Sequence, residues 1–284
     1  MKQKYKWFIG AMIAGVLGMG ATSCVDEIKF GNSFLEKAPG GSATQDTIFN
    51  SVTYTRQFLN TCYSRQYYGL PYVNSSVDDF PDSSNPYTGK FDALTDCWQL
   101  HYSGTTIYNS YYSGTHTANY GVRGDIFGYT REGVWQTVRW CWLLLENVDR
   151  VPGMGEDEKV QMKAEAKCLI AARYFDMFRH YGGLPLIYSS FTGTETNYQF
   201  PRATVEETVN YMDKMLEEAI GSGGLKWSYE GADFNSDGGH WTLAGAMALR
   251  CKLWQFAASP LFNDTQGYAG GRSEAEQQHL VWSG

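Results

Sequence analysis

Histidine is scarce in this chain of 284 residues, and the five present (His101, His116, His180, His240 and His279) never stand four residues apart. That spacing sets two metal ligands on one helix face, so its absence removes the helical zinc-hydrolase pattern. Neither a Gly-x-Ser-x-Gly turn nor a phosphate-binding glycine loop occurs, which removes the common nucleophile elbow and nucleotide cradle. Cysteine is also sparse and unpaired in pattern: beyond Cys24 stand Cys62, Cys97, Cys141, Cys168 and Cys251, with no Cys-x-x-Cys. Three of these fall on helical apolar stripes, so they read as buried free thiols and not as a disulfide frame or metal site, although an oxidising compartment leaves one bridge open. Positive charge is in deficit, 23 Lys and Arg against 30 Asp and Glu for a net charge of -7. With no basic cluster beyond the N-terminus, DNA and RNA are not expected partners. No catalytic residue, metal or cofactor is assigned. What abounds is aromatic: 15% of the chain, with 20 Tyr and 9 Trp.

The N-terminus carries Lys2, Lys4 and Lys6, then the apolar run 7–19, then Gly20-Ala21-Thr22-Ser23-Cys24. A basic end, a short apolar core and small residues make a secretory signal, too short for a spanning helix. Small residues ahead of Cys24 form a lipobox-like site, with Ala21 where Leu is usual, so residues 1–23 are read as signal peptide and Cys24 as the lipidated new N-terminus. An ordinary signal peptide cut at a nearby small residue is the alternative. Residues 24–43 show no period and read as a tether, so the mature chain is anchored and not spanning.

The helical domain is expected over 44–284. Asp46 is placed to cap a helix reaching about Tyr67, with Ile48, Val52, Thr55, Leu59 and Cys62 at helical spacing. Val134, Trp135, Val138, Trp142, Leu145 and Val148 mark a second helix, closed by Pro152 and Gly153. From about Glu156 the chain enters its most telling stretch. Val160, Ala164, Cys168, Ala171, Phe175 and Phe178 form one stripe, and Ile170, Tyr174, Met177 and Tyr181 another beside it, which describes a helix buried over most of its girth. Gly182 and Gly183 end it, and Pro185 keeps the chain extended through Tyr188. Thr204 and Glu207 form a capping box ahead of Val205, Val209, Met212, Leu216 and Ala219. Thr242 caps a last long helix, with Leu243, Met247, Cys251, Trp254 and Ala258 on its expected buried face. Short connections make consecutive helices antiparallel pairs, as in tetratricopeptide arrays, although no strict repeat of roughly 34 residues is visible. The fold class is therefore read as all-α: tetratricopeptide-like antiparallel helix pairs with long aromatic-rich loops.

Four pieces of this pattern resemble the SusD/RagB family of lipid-anchored nutrient-binding proteins. They are the helix end Arg179-His180-Tyr181-Gly182-Gly183-Leu184-Pro185, the Asn147-bearing helix end 145–149, the segment Pro201-Arg202-Ala203-Thr204-Val205-Glu206-Glu207, and the Ala-rich helix closing in Ala258-Ser259-Pro260-Leu261-Phe262. The resemblance implies a surface-exposed outer-membrane lipoprotein, consistent with Asp26 and Glu27 just behind Cys24. It further implies capture of an oligosaccharide or other nutrient and delivery to a SusC-like TonB-dependent transporter, without covalent chemistry. Members are generally longer than this chain, so it looks like an N-terminal portion, and an exposed apolar helix face is expected on its C-terminal side.

Residues 67–131 show little helical period and are rich in Tyr, Gly and Ser, with Asn and Trp98 among them. Flat rings give contact area at low entropy cost, and short polar groups aim hydrogen bonds, which suits stacking against a pyranose. Trp98 is the leading candidate for stacking, with Tyr72 and Tyr102 beside it in kind and Asp78, Asp79 and Gln99 as polar partners. In the family this part of the chain supplies an aromatic platform. Two other uses remain open for its carboxylates: Asp78, Asp79 and Asp82 as a glycosidase acid and base, or as calcium ligands, with a solvated turn the blander choice. Asp233-x-Asn235-x-Asp237-Gly238 opens like a calcium loop, but Ala244 stands where the bidentate Glu belongs, so a turn is favoured. A peptide-binding protein and a helical-repeat interaction module are the alternative functions on the same scaffold.

Overall fold

The computed structural model describes residues 44–64, 132–191, 195–263 and 271–282. Tyr72, Asp78, Asp79, Trp98, Gln99 and Tyr102 lie outside the described residues, as do Cys24, Cys97 and the tether. The chain divides into two units, Met1–Gln45 and Asp46–Gly284, and the long helices among the described residues belong to the second.

Among the described residues every regular element is helical. The first described elements are α1 (Gln45–Phe49) and α2 (Val52–Tyr63). The single helix expected from Asp46 is thus two. Ser51 takes an extended backbone and its hydroxyl accepts the Tyr54 N–H, so the chain restarts there with its own cap. Asp46 pairs instead with Arg150 at 2.9 Å. The expected stripe is nonetheless the inward one, with Thr55, Leu59 and Cys62 buried.

α3 (Glu132–Asn147) passes through a 3-10 turn (Val148–Arg150) into a short link before α4 (Glu156–Tyr181). Asn147 explains why α3 stops there: its amide donates back to the Leu143 carbonyl at 2.8 Å and accepts from Arg150 Nε at 2.9 Å. α4 is the axis of the unit. All residues from Cys168 to Phe178 are buried, and the helix packs against α2, α3, α5 and α7, which a helix apolar around most of its circumference requires.

The end of α4 is fixed by two glycines. Gly182 adopts φ +70°, a conformation disfavoured for residues with a Cβ. A Cβ on Gly183 would lie 2.0 Å from the Ala203 carbonyl oxygen, so the chain passes its neighbour with no room for a side chain. The extended run 184–188 forms no sheet ladder, and its backbone groups are met by side chains from three helices. Tyr174 Oη donates to the Pro185 carbonyl at 2.9 Å and accepts the Ile187 N–H at 3.0 Å. Trp142 Nε1 and Tyr211 Oη donate to the Ile187 carbonyl at 3.0 and 2.5 Å, and Thr208 Oγ1 accepts the Leu184 N–H at 3.1 Å. A buried irregular segment is stable only with such partners. Arg202 is structural as well: it donates from Nε to the Gly183 carbonyl at 2.6 Å and from its guanidinium to the Tyr181 carbonyl.

α5 (Val205–Gly221) starts from the expected capping box, and Val205, Val209, Met212, Leu216 and Ala219 are all buried. A short α6 (Ala232–Asp237) follows. The calcium-like residues sit on it: Asp233 pairs with Lys226 at 2.7 Å and Asp237 accepts from Ser236, so they form no calcium loop.

α7 (Leu243–Ala257) is capped by Thr242 as expected, but its rotation differs from the expected one. Ala246, Leu253 and Ala257 are buried, whereas Met247 and Trp254 are 45% and 40% exposed and Cys251 is exposed. The helix is apolar nearly all round, so periodicity alone chooses no face. A polar clasp chooses it: Arg250 grips Asp213 at 2.7 and 3.0 Å, and Trp254 Nε1 donates to the same carboxylate at 2.7 Å. Cys251 is therefore not a buried thiol; Cys62, Cys141 and Cys168 are.

α8 (Pro260–Asn263) places Phe262 flat on Phe178, with ring centroids 4.7 Å apart. α9 (Gly271–Gln277) ends short of Leu280 and Trp282, which follow it as a turn, and the Trp282 indole donates to the Ala257 carbonyl at 2.8 Å. Consecutive long helices contact in order, α2 with α3, α3 with α4, α4 with α5 and α5 with α7. This is the tetratricopeptide-like organisation expected of the chain. No described helix is long and apolar enough to cross a membrane.

Candidate functional site

Among the described residues a cavity of about 850 Å³ opens where α2, the first turns of α4 and the segment from Ser222 to His240 meet. Its shape follows from local structure. α4 begins at Gly155, with Glu156, Asp157 and Glu158 in the first turn where the helix dipole favours acidic side chains. After α5 the chain returns across α4 so closely that a Cβ on Gly224 would meet Gln161 N and the Val160 carbonyl carbon at 2.8 Å. Glycine is what allows that crossing.

A buried carboxylate forms the cavity floor. Glu165 is fully buried, and both of its oxygens are engaged. Gln161 Nε2 donates to Oε1 at 2.8 Å, and Tyr63 Oη donates to Oε2 at 2.7 Å. His240 Nδ1 lies 3.0 Å from Oε2. No acceptor lies along a straight N–H direction from that nitrogen, so the His240–Glu165 attraction is one of charge more than of an aligned hydrogen bond. Tyr63 also accepts the Trp241 N–H at 2.7 Å and stacks on the His240 ring at 4.4 Å between centroids. The other imidazole nitrogen meets Asn60 Oδ1 at 3.1 Å. A buried charge is tolerated only with partners of this kind.

The electrostatics follow from this geometry. Contact with Glu165 raises the His240 imidazole above its ordinary value, against the opposing effect of partial burial. Burial first, and the Glu165 charge second, push both the Tyr63 phenol and the Cys168 thiol well up, so both stay protonated. Farther out, Arg56 makes a bidentate pair with Glu158 at 2.5 and 2.9 Å, and Lys226 is held by Asp233. The arrangement supplies fixed donors and acceptors. It offers no nucleophile with an adjacent base, and no group of three or more His, Cys, Asp or Glu among the described residues is placed to hold a metal ion.

The residues singled out in the 67–131 segment lie outside the described residues, and the cavity is lined by others. Glu165, His240, Tyr63, Gln161 and Asn60 were not singled out from sequence. One signal was there: Glu165 lies between Ala164 and Ala166 in the apolar stretch of α4, where a carboxylate needs a partner. Gln161 stands four residues before it on the same helix, but its other two partners come from 75 and 102 residues away, and sequence spacing carries no trace of those.

No family model matches the chain, and no curated protein matches it. Solved structures do. A SusD-like protein from Bacteroides fragilis aligns over 80% of this chain and 38% of its own, at 22% identity and a TM-score of 0.48. The protein BT4246 aligns over 75% of this chain and 32% of its own, at 22% identity and a TM-score of 0.53. A SusD-like carbohydrate-binding protein from Bacteroides fragilis aligns over 73% and 37%, at 16% identity and a TM-score of 0.48. The chain thus spans between 32% and 38% of the length of these structures. The likeness to BT4246 shows a shared fold, which among the described residues of this chain is all-helical and tetratricopeptide-like.

Proposed function

We propose that this SusD-like chain is a cell-surface lipoprotein that binds glycans, held at the outer membrane by acyl chains on Cys24. Its task is to capture an oligosaccharide on the aromatic segment 67–131 and pass it to a SusC-like TonB-dependent transporter, with no covalent step. Residues 1–23 are then a cleaved signal peptide, 24–43 a tether and 44–284 the helical domain. One observation carries the reading: a segment dense in Tyr, Ser and Asp, holding Trp98 and several Asn, stands in the sequence between α2 and α3 of an all-helical, tetratricopeptide-like scaffold. Rigid helices presenting a long polar-aromatic insertion suit recognition of a hydroxylated ligand. Trp98, Tyr72 and Tyr102 are the stacking residues in this proposal, and Asp78, Asp79 and Gln99 the hydrogen-bonding ones.

The test is affinity electrophoresis of the purified chain through gels containing single neutral polysaccharides, with product analysis after long incubation. Retardation by at least one glycan, with no cleavage, is expected. A folded chain retarded by none would contradict glycan binding, and released sugar would establish an enzyme instead.

A further inference from the structure

We propose that the cavity floored by Glu165 is a second binding site, separate from the aromatic segment, for a neutral polyhydroxylated small ligand such as a mono- or disaccharide. Its volume of about 850 Å³ falls within the usual range for small-molecule sites. The lining is of two kinds. Val160 is half-buried and, with the edges of the buried Leu59, Met162 and Leu225, gives the wall an apolar part for the C–H face of a sugar ring. Asn60, Gln161, Asp157 and Asp237 provide planar amides and carboxylates, groups that pair with adjacent hydroxyls as donors or acceptors.

Charge narrows the ligand class. An anion would meet the carboxylates of Asp157, Glu158, Asp237 and, at the floor, Glu165. A cation would meet Arg56, Lys226 and His240 in the same wall. Like charges face an ion of either sign, whereas a neutral hydroxylated molecule finds both donors and acceptors. The floor is also fixed in advance. Gln161 is held by Glu165 and by the Tyr229 hydroxyl at 3.3 Å, and Glu165 is held by Tyr63. A ligand reaching Gln161 meets an amide that is already ordered, which favours affinity.

The test is saturation-transfer NMR and calorimetry on the purified chain with glucose, galactose, mannose, maltose and cellobiose, beside glucuronate and glucosamine as charged counterparts. Asn60→Ala and Asp237→Ala are compared with Trp98→Ala. At least one neutral sugar is expected to bind the chain that carries Trp98→Ala, and to bind about tenfold or more weaker when Asn60→Ala or Asp237→Ala is added. Asn60 is exposed, and an unaltered melting temperature in that variant keeps loss of binding apart from loss of fold. Asp237→Ala decides if Asn60→Ala melts early. Three outcomes overturn the proposal: no small neutral sugar bound, preferential binding of glucuronate or glucosamine, or binding lost in Trp98→Ala alone. The last would place the sugar on the aromatic segment, leaving the proposed function standing without this site.

Discussion

His240 Nδ1 lies 3.0 Å from Glu165 Oε2, joining the segment that precedes α7 to the fully buried carboxylate of α4. The contact raises the imidazole above its ordinary value, and the sign of the resulting linkage is fixed. A group whose pKa is raised by folding contributes its stabilisation in full below its unfolded value of about 6.5, and loses it as pH rises through the raised value. The difference in melting temperature between the parent chain and His240→Gln should therefore be larger at pH 6 than at pH 9. Equal differences at the two pH values would show that the imidazole is uncharged in the fold.

Tyr174 holds the extended run after α4 through both functions of one hydroxyl. Tyr174→Phe keeps the ring and its packing on Tyr211 but leaves the buried Ile187 N–H without its partner. A loss of about 1 to 3 kcal/mol in urea unfolding is expected. A loss near zero would mean that this hydroxyl is replaceable by water.

Gly183 and Gly153 differ in what surrounds them. A Cβ on Gly183 meets a backbone carbonyl oxygen, while Gly153, at φ +76°, has nothing within 4 Å. Gly183→Ala forces the backbone to move, and a cost of about 2 to 3 kcal/mol is expected by denaturant unfolding. Gly153→Ala meets only the left-handed conformational penalty, about 1 kcal/mol. The reverse order would show that the α4 turn yields readily.

Cysteine exposure gives a test of how α7 is rotated. Cys62, Cys141 and Cys168 are fully buried, and Cys251 is exposed. With Cys24 and Cys97 replaced by Ser, one thiol per native chain should react promptly with a maleimide, and Cys251→Ser should abolish that reaction. Prompt labelling of none would mean that the Cys251 face of α7 is covered in solution.

Local chemistry was legible in the sequence where it is carried by neighbours along the chain. The burial of α4, its stop at Gly182 and Gly183, the Thr204–Glu207 box and the Thr242 cap all depend on residues within a turn or two, and the structure shows each of them. The interruption of the first helix at Ser51 was missed because Ser and Asn are compatible with both a helix interior and a cap. The face α7 buries was missed because Asp213, which fixes its rotation, belongs to another helix. The same reason hides the cavity: Tyr63, Glu165 and His240 come from three distant parts of the chain, and their association is a product of packing. For the aromatic segment the position is reversed. Its chemistry is readable in composition, while Trp98 and its neighbours lie outside the described residues.

The most direct measurement is calorimetric titration of the purified chain with the glycan that retards it most in affinity gels, run in parallel on Trp98→Ala. Saturable binding by the parent chain and a weakening of about tenfold or more in the variant, each with unchanged circular dichroism, is the outcome expected of capture by the aromatic segment. Equal affinity in the two chains would contradict that assignment, and no heat from a folded parent chain with any glycan would contradict glycan binding itself.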